Sequence, residues 1–183
     1  MDNGAPPGIS ADGSIIAFAS HATNLVSEAV GGTGNPWITV YARTTCAGTT
    51  GGCTPATALA SLGNEGSIAN AGSNNVSISA DGRFVAFGSL ASNLVPADNF
   101  GPDAWKDIFV RDTCYGVTGG CTPSTVRVSV AIASGIGTPS NQPNDYPAIS
   151  ADGHYLVFMS AATNFLAGAG NGNTMVYLAK TGF

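Results

Sequence analysis

The chain has 183 residues, a length that fits a single domain. Only 9% of the residues are charged, and 6 Lys+Arg against 11 Asp+Glu give a net charge of −5, so the chain lacks the basic surface that nucleic-acid binding requires. A hydrophobic fraction of 44% argues against disorder, and no apolar run approaches the roughly 20 residues that span a bilayer.

One sequence unit occurs three times along the chain. The motif Ile-Ser-Ala-Asp-Gly begins at Ile9, Ile78 and Ile149, so its Asp residues lie 69 and then 71 positions apart. Asp-Gly between two short apolar runs is a strong hairpin signal, because Gly accepts the positive φ of a tight turn. Since no long amphipathic helical stretch occurs, each unit predicts a four-stranded antiparallel meander, typical of a propeller blade.

The β-rich runs follow each motif in the same order. They lie at residues 14–18, 40–42 and 56–61 in the first unit, 83–87, 108–110 and 124–130 in the second, and 154–158 and 176–178 in the third.

The second unit carries a family resemblance. It has Ile-Ser-Ala-Asp-Gly-Arg-Phe-Val-Ala-Phe at 78–87, Ser-Asn-Leu-Val-Pro at 92–96, Asp-Ile-Phe-Val-Arg-Asp at 107–112 and Arg-Val-Ser-Val at 127–130. This sequence resembles the WD40-like PD40 repeat of TolB-like β-propellers. The first unit departs from the pattern at 39–44, where it reads Thr-Val-Tyr-Ala-Arg-Thr, and the third keeps the hairpin with a weaker third strand.

The resemblance implies an all-β fold of antiparallel four-stranded propeller blades. The chain holds about three of them, a partial propeller in one domain, at 9–62 (blade 1), 78–131 (blade 2) and 149–183 (blade 3, incomplete). Propellers usually close with four to eight blades. Fold alone does not fix function, since propellers host many activities.

Blade 3 is expected to lack its outer strand, which leaves its third strand with an open edge. An unpaired edge is a template for pairing with another chain, and the bare lateral faces of blades 1 and 3 are apolar. The predicted assembly edge consists of Met175, Val176, Tyr177, Leu178 and Ala179. We therefore expect a self-assembling structural scaffold, either a closed ring or a filament. The alternatives are a module that binds an envelope protein or a polymer, and a fragment of a larger propeller.

Four cysteines form two matching pairs. Both pairs read Thr-Cys, six residues, Cys-Thr-Pro, and both fall between the third and fourth strands of a blade. Antiparallel neighbours place Cβ atoms within disulfide range, so we predict the bridges Cys46–Cys53 and Cys114–Cys121. The spacing does not match a zinc site. No signal peptide is evident, but disulfides predict a location that is extracellular, on the cell surface or periplasmic.

An acidic segment in blade 2 suggests calcium. Asp98, Asn99, Asp103 and Asp107 offer hard oxygen ligands on a Gly-containing loop, although the pattern is not an EF-hand. The alternative is a solvated loop in which Asp107 and Asp112 pair with Arg111 or Lys106. No other cofactor is expected.

The remaining polar residues favour structure over catalysis. Asp12, Asp81 and Asp152 occupy the same turn and are interpreted as turn formers, as are Asn24, Asn93 and Asn164 in the later polar turns. His21 and His154 belong to no nucleophile elbow, and no other acid is placed as a glycosidase pair, so we expect no enzyme activity. Trp37 and Trp105 precede the third strands and are expected in the core, with partner contact as the alternative.

Overall fold

The structure is a computed structural model that describes residues 6–30, 37–48, 50–96, 105–131, 138–166 and 172–183. Alternating or continuous apolar runs form strands in all three units, and every strand pair in these ranges is antiparallel. The fold is all-β, as the sequence predicts. None of the described segments forms a helix able to cross a membrane.

Blades 1 and 2 are four-stranded sheets with strands in sequence order. Blade 1 contains β1 (Gly8–Ile9), β2 (Ile15–Ser20), β3 (Thr39–Thr44) and β4 (Ala56–Leu59). Blade 2 contains β5 (Ser73–Ile78), β6 (Phe84–Ser89), β7 (Asp107–Asp112) and β8 (Ser124–Arg127). Its first strand starts five residues before the repeated motif.

Blade 3 is a three-stranded sheet. A short pair, β9 (Val130–Ala131) and β10 (Thr138–Pro139), leads into it. The blade then contains β11 (Asn144–Ile149), β12 (Tyr155–Ser160) and β13 (Met175–Lys180). Among the described residues β13 pairs with β12 alone, in agreement with the predicted incomplete third blade.

The core lies between the blades. Blade 2 presents Val85 and Phe87 to blade 1, and it presents Phe84 and Ala86 to blade 3. The alternation of side chains along β6 produces these two apolar faces, because successive residues of a strand point to opposite sides. Blade 2 is thus buried on both faces, and all six residues of β6 and of β7 are buried.

Each blade contains the same aromatic stack between its second and third strands. The ring centroids of Phe18 and Tyr41 lie 5.6 Å apart, and those of Phe158 and Tyr177 lie 5.8 Å apart. Phe87 and Phe109 form the equivalent pair of blade 2 at 5.9 Å. These paired positions define the register by which the three blades can be compared.

Both predicted disulfides are present. Cys46–Cys53 and Cys114–Cys121 join the ends of the hairpins between the third and fourth strands, with Cα–Cα distances of 5.7 and 5.8 Å. Each bridge therefore fastens the outer strand of a blade to its neighbour.

Candidate interaction surface

Successive blades are joined by a backbone bond that recurs at the Asp-Gly turns. Ala11 N donates to Ala80 O at 2.8 Å, and Ala80 N donates to Ala151 O at 3.0 Å. In the described part of the chain this series ends with the N–H of Ala151 at one side and the C=O of Ala11 at the other. The two ends are complementary donor and acceptor groups.

The glycine of each turn also packs on the preceding blade. Gly82 lies against Ile15, and Gly153 lies against the ring of Phe84, so closely that a Cβ on either glycine would collide with the neighbour. By the same register Gly13 is the equivalent glycine of blade 1, and only Ala47 and Ile9 lie near it, at ordinary van der Waals distance. Gly13 therefore has an open place where a neighbouring blade would fit.

Tyr155 is the matching residue on blade 3. It stands two positions after its glycine, as do Ile15 and Phe84, yet its side chain is 44% exposed. Its free face continues in Val157 and Met159, and cross-strand pairing adds the neighbouring residues of β13. The same face of blades 1 and 2 is covered by the following blade.

The outer strand of this surface is the most exposed apolar segment. Val176 is 67% exposed and Leu178 is 70% exposed, so β13 leaves large side chains in solvent. A groove of about 690 Å³ runs along it, and Phe165, Val128 and Val130 contribute to its lining. All five residues of the predicted assembly edge line this groove.

The opposite side of blade 1 is only partly open, because Tyr41 and Leu59 are buried there together with Val30. Phe18 is only partly buried, although its counterparts Phe87 and Phe158 are fully or almost fully buried against the preceding blade. Leu25, in the loop that follows β2, is exposed. The two ends of the described blade series thus present opposite sides of the repeated interface, and that of blade 1 is open only in part.

Three of the four predicted calcium ligands, Asp98, Asn99 and Asp103, lie outside the described residues. The fourth, Asp107, is buried and its carboxylate accepts bonds from Ser129 Oγ at 2.6 Å and Asn144 Nδ2 at 3.2 Å. Arg127 lies 3.7 Å from the same carboxylate. The calcium site remains a prediction.

The ion pairs differ from those expected for the solvated-loop alternative. Asp112 accepts two bonds from Arg83, at 2.8 and 2.6 Å, and Lys106 pairs with Asp145 at 3.3 Å. Burial alone would raise the pKa of Asp112, but the bonds from Arg83 and from Cys114 N, with the nearby cationic charges, outweigh burial and lower it. These partners could not be predicted from the sequence, because the pairing of strands brings them together.

Asp112 also lies close to the sulfurs of Cys114 and Cys121, the one grouping of potential metal ligands in the described segments. Both sulfurs belong to the disulfide, so they are not thiolates, and metal binding requires thiolate sulfur. At this cluster the Arg83–Asp112 ion pair therefore lies beside the Cys114–Cys121 disulfide.

The three turn aspartates act as predicted. Asp12 Oδ1 accepts from the hydroxyls of Ser10 and Ser14, each at 2.7 Å, and from Ser14 N at 2.9 Å. The bond from Ser10 is the largest cause that lowers the pKa of Asp12 to about 2. Asp81 and Asp152 accept equivalent bonds. These carboxylates hold the turns that carry the glycine contacts.

Two other expectations need correction. Asn93 and Asn164 bond residues 23 to 25 positions upstream rather than their own turns, since Asn93 Nδ2 donates to Ile68 O and Asn164 Nδ2 to Pro139 O. They therefore anchor the segment that links one blade to the next.

Trp37 and Trp105 are 38% and 47% exposed, so the expected core position is wrong for both.

Comparison with known proteins gives similarity in structure only. No protein-family model matches the sequence, and no curated protein matches it. The structure is similar to TolB from Acinetobacter baumannii, with a TM-score of 0.48 and 18% identity over 96% of this chain and 29% of that one. It is also similar to a TolB-designated protein of Agrobacterium tumefaciens, with a TM-score of 0.45 and 13% identity over 97% of this chain and 60% of that one.

Both structures carry the TolB name. The chain spans less than two thirds of the length of either.

Proposed function

We propose that this chain is a non-catalytic, extracellular propeller module that binds copies of itself head to tail. The free face of blade 3 packs on the partly open outer face of blade 1 of a second copy. The observation that best supports this arrangement is the repeated backbone bond between turns. Its series ends in a donor, Ala151 N, on blade 3 and in an acceptor, Ala11 O, on blade 1. A single rotation and translation, repeated from copy to copy, would bring the Ala151 N–H of each copy to the Ala11 C=O of the next.

Side-chain packing supports the same arrangement. Tyr155 of one copy would lie against Gly13 of the next, as Phe84 lies against Gly153 within the chain. The exposed face around Val157 is continuous and apolar, and faces of this kind typically mark association sites. Such a contact is heterologous, so copies form a closed ring if the rotation closes and a filament if it does not.

The proposed location rests on the two disulfides. Bridges persist in oxidising compartments and are rare in the cytosol. A scaffold outside the cytoplasm, on the surface or in the periplasm, fits this chemistry.

Analytical ultracentrifugation of the 18.2 kDa chain tests the proposal. We expect species of two or more copies that dissociate when Val157→Asp places a charge on the free face of blade 3. Val117→Asp is the matched control, because Val117 is similarly exposed but lies in the disulfide hairpin of blade 2. A folded wild-type monomer at every concentration would contradict head-to-tail association.

A second candidate function is favoured by the exposed tryptophans. Trp37 and Trp105 precede β3 and β7, and exposed Trp is enriched at binding hot spots. A propeller module that binds another protein or a polymer would use this end of the blades. Loss of partner binding in Trp105→Ala, with the mass of the assembly unchanged, would support that role.

A further inference from the structure

A cleft lies between blades 1 and 2, at the end of these blades where the Asp-Gly turns and the disulfide hairpins lie. Its volume is about 330 Å³, at the lower end of the range for pockets that hold small molecules. Blade 1 and blade 2 each contribute one wall of this inter-blade cleft. Its lining includes Ala42, Ala58, Leu59, Arg111, Thr113 and Tyr115.

Small residues on blade 1 leave the space for the cleft. Ala42 and Ala58 are cross-strand neighbours on β3 and β4, and both line the cleft on its blade 1 side. The equivalent residues of blade 2 are Val110 and Val126, which are also cross-strand neighbours and pack against the core shared with blade 3. The alanine pair thus leaves room that a valine pair would occupy.

Arg111 is the one charged side chain among the described residues that line the cleft, and only 8% of it is exposed. Its Nη1 donates to Thr125 Oγ1 at 3.1 Å and to the carbonyls of Gly63 and Leu62 at 3.3 and 3.5 Å. Its Nε and Nη2 donate to no acceptor in the described part of the chain, yet neither atom is fully enclosed by protein. Two donors of this guanidinium are therefore open to a ligand.

No carboxylate of the described residues forms an ion pair with Arg111. Asp112 follows it in sequence, but the Asp112 carboxylate accepts two bonds from Arg83, and successive residues of a strand point to opposite faces. Burial lowers the pKa of Arg111, and the charge of Asp112 offsets this effect only in part. Since a guanidinium stays protonated in proteins, a buried positive charge lies beside the cleft without an anion.

We propose that the inter-blade cleft binds a small carboxylate that carries a compact apolar group. The carboxylate accepts paired bonds from Nε and Nη2 of Arg111, because the planar guanidinium matches the geometry of a carboxylate. The apolar group lies against Ala42, Ala58 and Leu59. The ligand supplies the negative charge that the chain itself does not place there.

The other blades show that the arginine position alone does not make such a site. Arg43 is the equivalent residue of blade 1, and it donates to Thr57 Oγ1 at 2.7 Å as Arg111 donates to Thr125. Arg43 is exposed, however, so water solvates its charge. The equivalent residue of blade 3 is Ala179, which carries no charge. In the described part of the chain, a buried arginine therefore meets an alanine-lined cleft at one place only.

The carboxylate site goes beyond the proposed self-association and is independent of it. Head-to-tail contact uses the outer faces of blades 1 and 3, whereas the cleft lies between blades 1 and 2 of one chain. Loss of either interaction can therefore be measured without loss of the other.

Isothermal titration calorimetry of the full chain with octanoate at pH 7 tests the proposal. We expect saturable binding of one octanoate per chain. Octanol has the same hydrocarbon tail without the charge, and acetate has the charge with almost no apolar group, so each should bind at least about tenfold more weakly. Absence of saturable octanoate binding by the folded chain, or equal binding of octanol and octanoate, overturns the proposal.

Two variants assign the binding to the cleft. Arg111→Lys keeps the positive charge but not the paired donors, so it should weaken octanoate binding by about tenfold and reduce the preference for octanoate over octanol. A purely structural role of Arg111 would leave that preference unchanged. Ala58→Phe fills the cleft from an exposed position of β4 and should abolish most binding, which keeps the test decisive even if Arg111→Lys does not fold.

Val117→Phe is the matched control for Ala58→Phe, because Val117 is also exposed but lies outside the cleft lining. It should bind octanoate as the wild type does, and so should Val157→Asp, even where that variant dissociates the assembly. Wild-type affinity in Ala58→Phe would place the bound octanoate elsewhere on the chain and overturn the proposal.

Discussion

Short polar side chains hold the geometry of each blade at the residue scale. Asp12 accepts hydrogen bonds from Ser10 and Ser14 and so fixes its turn. That turn positions Ala11, whose N–H donates to Ala80 O of blade 2. Local hydrogen bonds thereby determine where the inter-blade contacts form. The same residues that a motif search would take for catalytic acids are the turn formers of a structural repeat.

The Asp12 turn gives a first prediction. Ser10→Ala removes the hydroxyl that contributes most to lowering the pKa of Asp12, so that pKa should rise from about 2 toward its ordinary value of 3.8. Carbon-13 NMR titration of the side-chain carboxyl measures the change. Ser20→Ala is the control, because Ser20 Oγ accepts from Ala22 N at the other end of β2. An unchanged Asp12 pKa in Ser10→Ala would contradict the assignment.

The Asp112 pair gives a second prediction. Asp112→Asn should lower the free energy of unfolding by about 1–3 kcal/mol at pH 7, because Arg83 loses a charged acceptor. The folded-state pKa of Asp112 is lowered, so its contribution is complete above the unfolded value of about 3.9 and is lost as the pH falls. Urea denaturation should therefore show a smaller difference between wild type and variant at pH 3. Glu65→Gln, an exposed acid, is the control and should change stability little.

At the scale of strands, sequence patterns predicted the features that depend on residues close together in the chain. Asp-Gly positions, apolar alternation and matched cysteines were sufficient for the hairpins and both bridges. The partners of Asn93 and Asn164 were not predictable, because they lie in segments that the blade-to-blade connection brings near. The irregular register in β5 and β11 was also missed, with positive φ at Asn75 and Tyr146, since nothing local requires it there.

Close packing between a turn and the preceding strand gives a third prediction. Gly153→Ala places a methyl group in the ring of Phe84, whereas Gly116→Ala has the same φ of about 76–77° and open space around it. Both variants incur the cost of a left-handed residue, and Gly153→Ala should lose about 1–3 kcal/mol more through overpacking. Thermal or urea unfolding of the two variants measures the difference. Equal losses would show that blade 3 can move away from blade 2 without cost.

At the scale of the whole molecule, one interface is repeated along the series. Blade 2 fits both its neighbours because each of its faces matches the opposite face of the next blade. Within the described residues, the open outer face of blade 3 and the partly covered outer face of blade 1 are the two halves of that same interface. In the proposed assembly a second copy, related by the accumulated rotation of three blades, would meet both halves without any new type of contact.

Gly13→Ala tests this arrangement directly. Gly13 has a φ of 72° and open space, so within one chain its replacement should cost no more than Gly116→Ala. In the proposed assembly, however, Gly13 meets Tyr155 of a second copy as Gly153 meets Phe84, and a methyl group there would collide. Sedimentation should show that Gly13→Ala shifts the chain to monomers while Gly116→Ala does not. Equal masses for the two variants, alongside wild-type association, would place the contact between copies elsewhere than at blades 1 and 3.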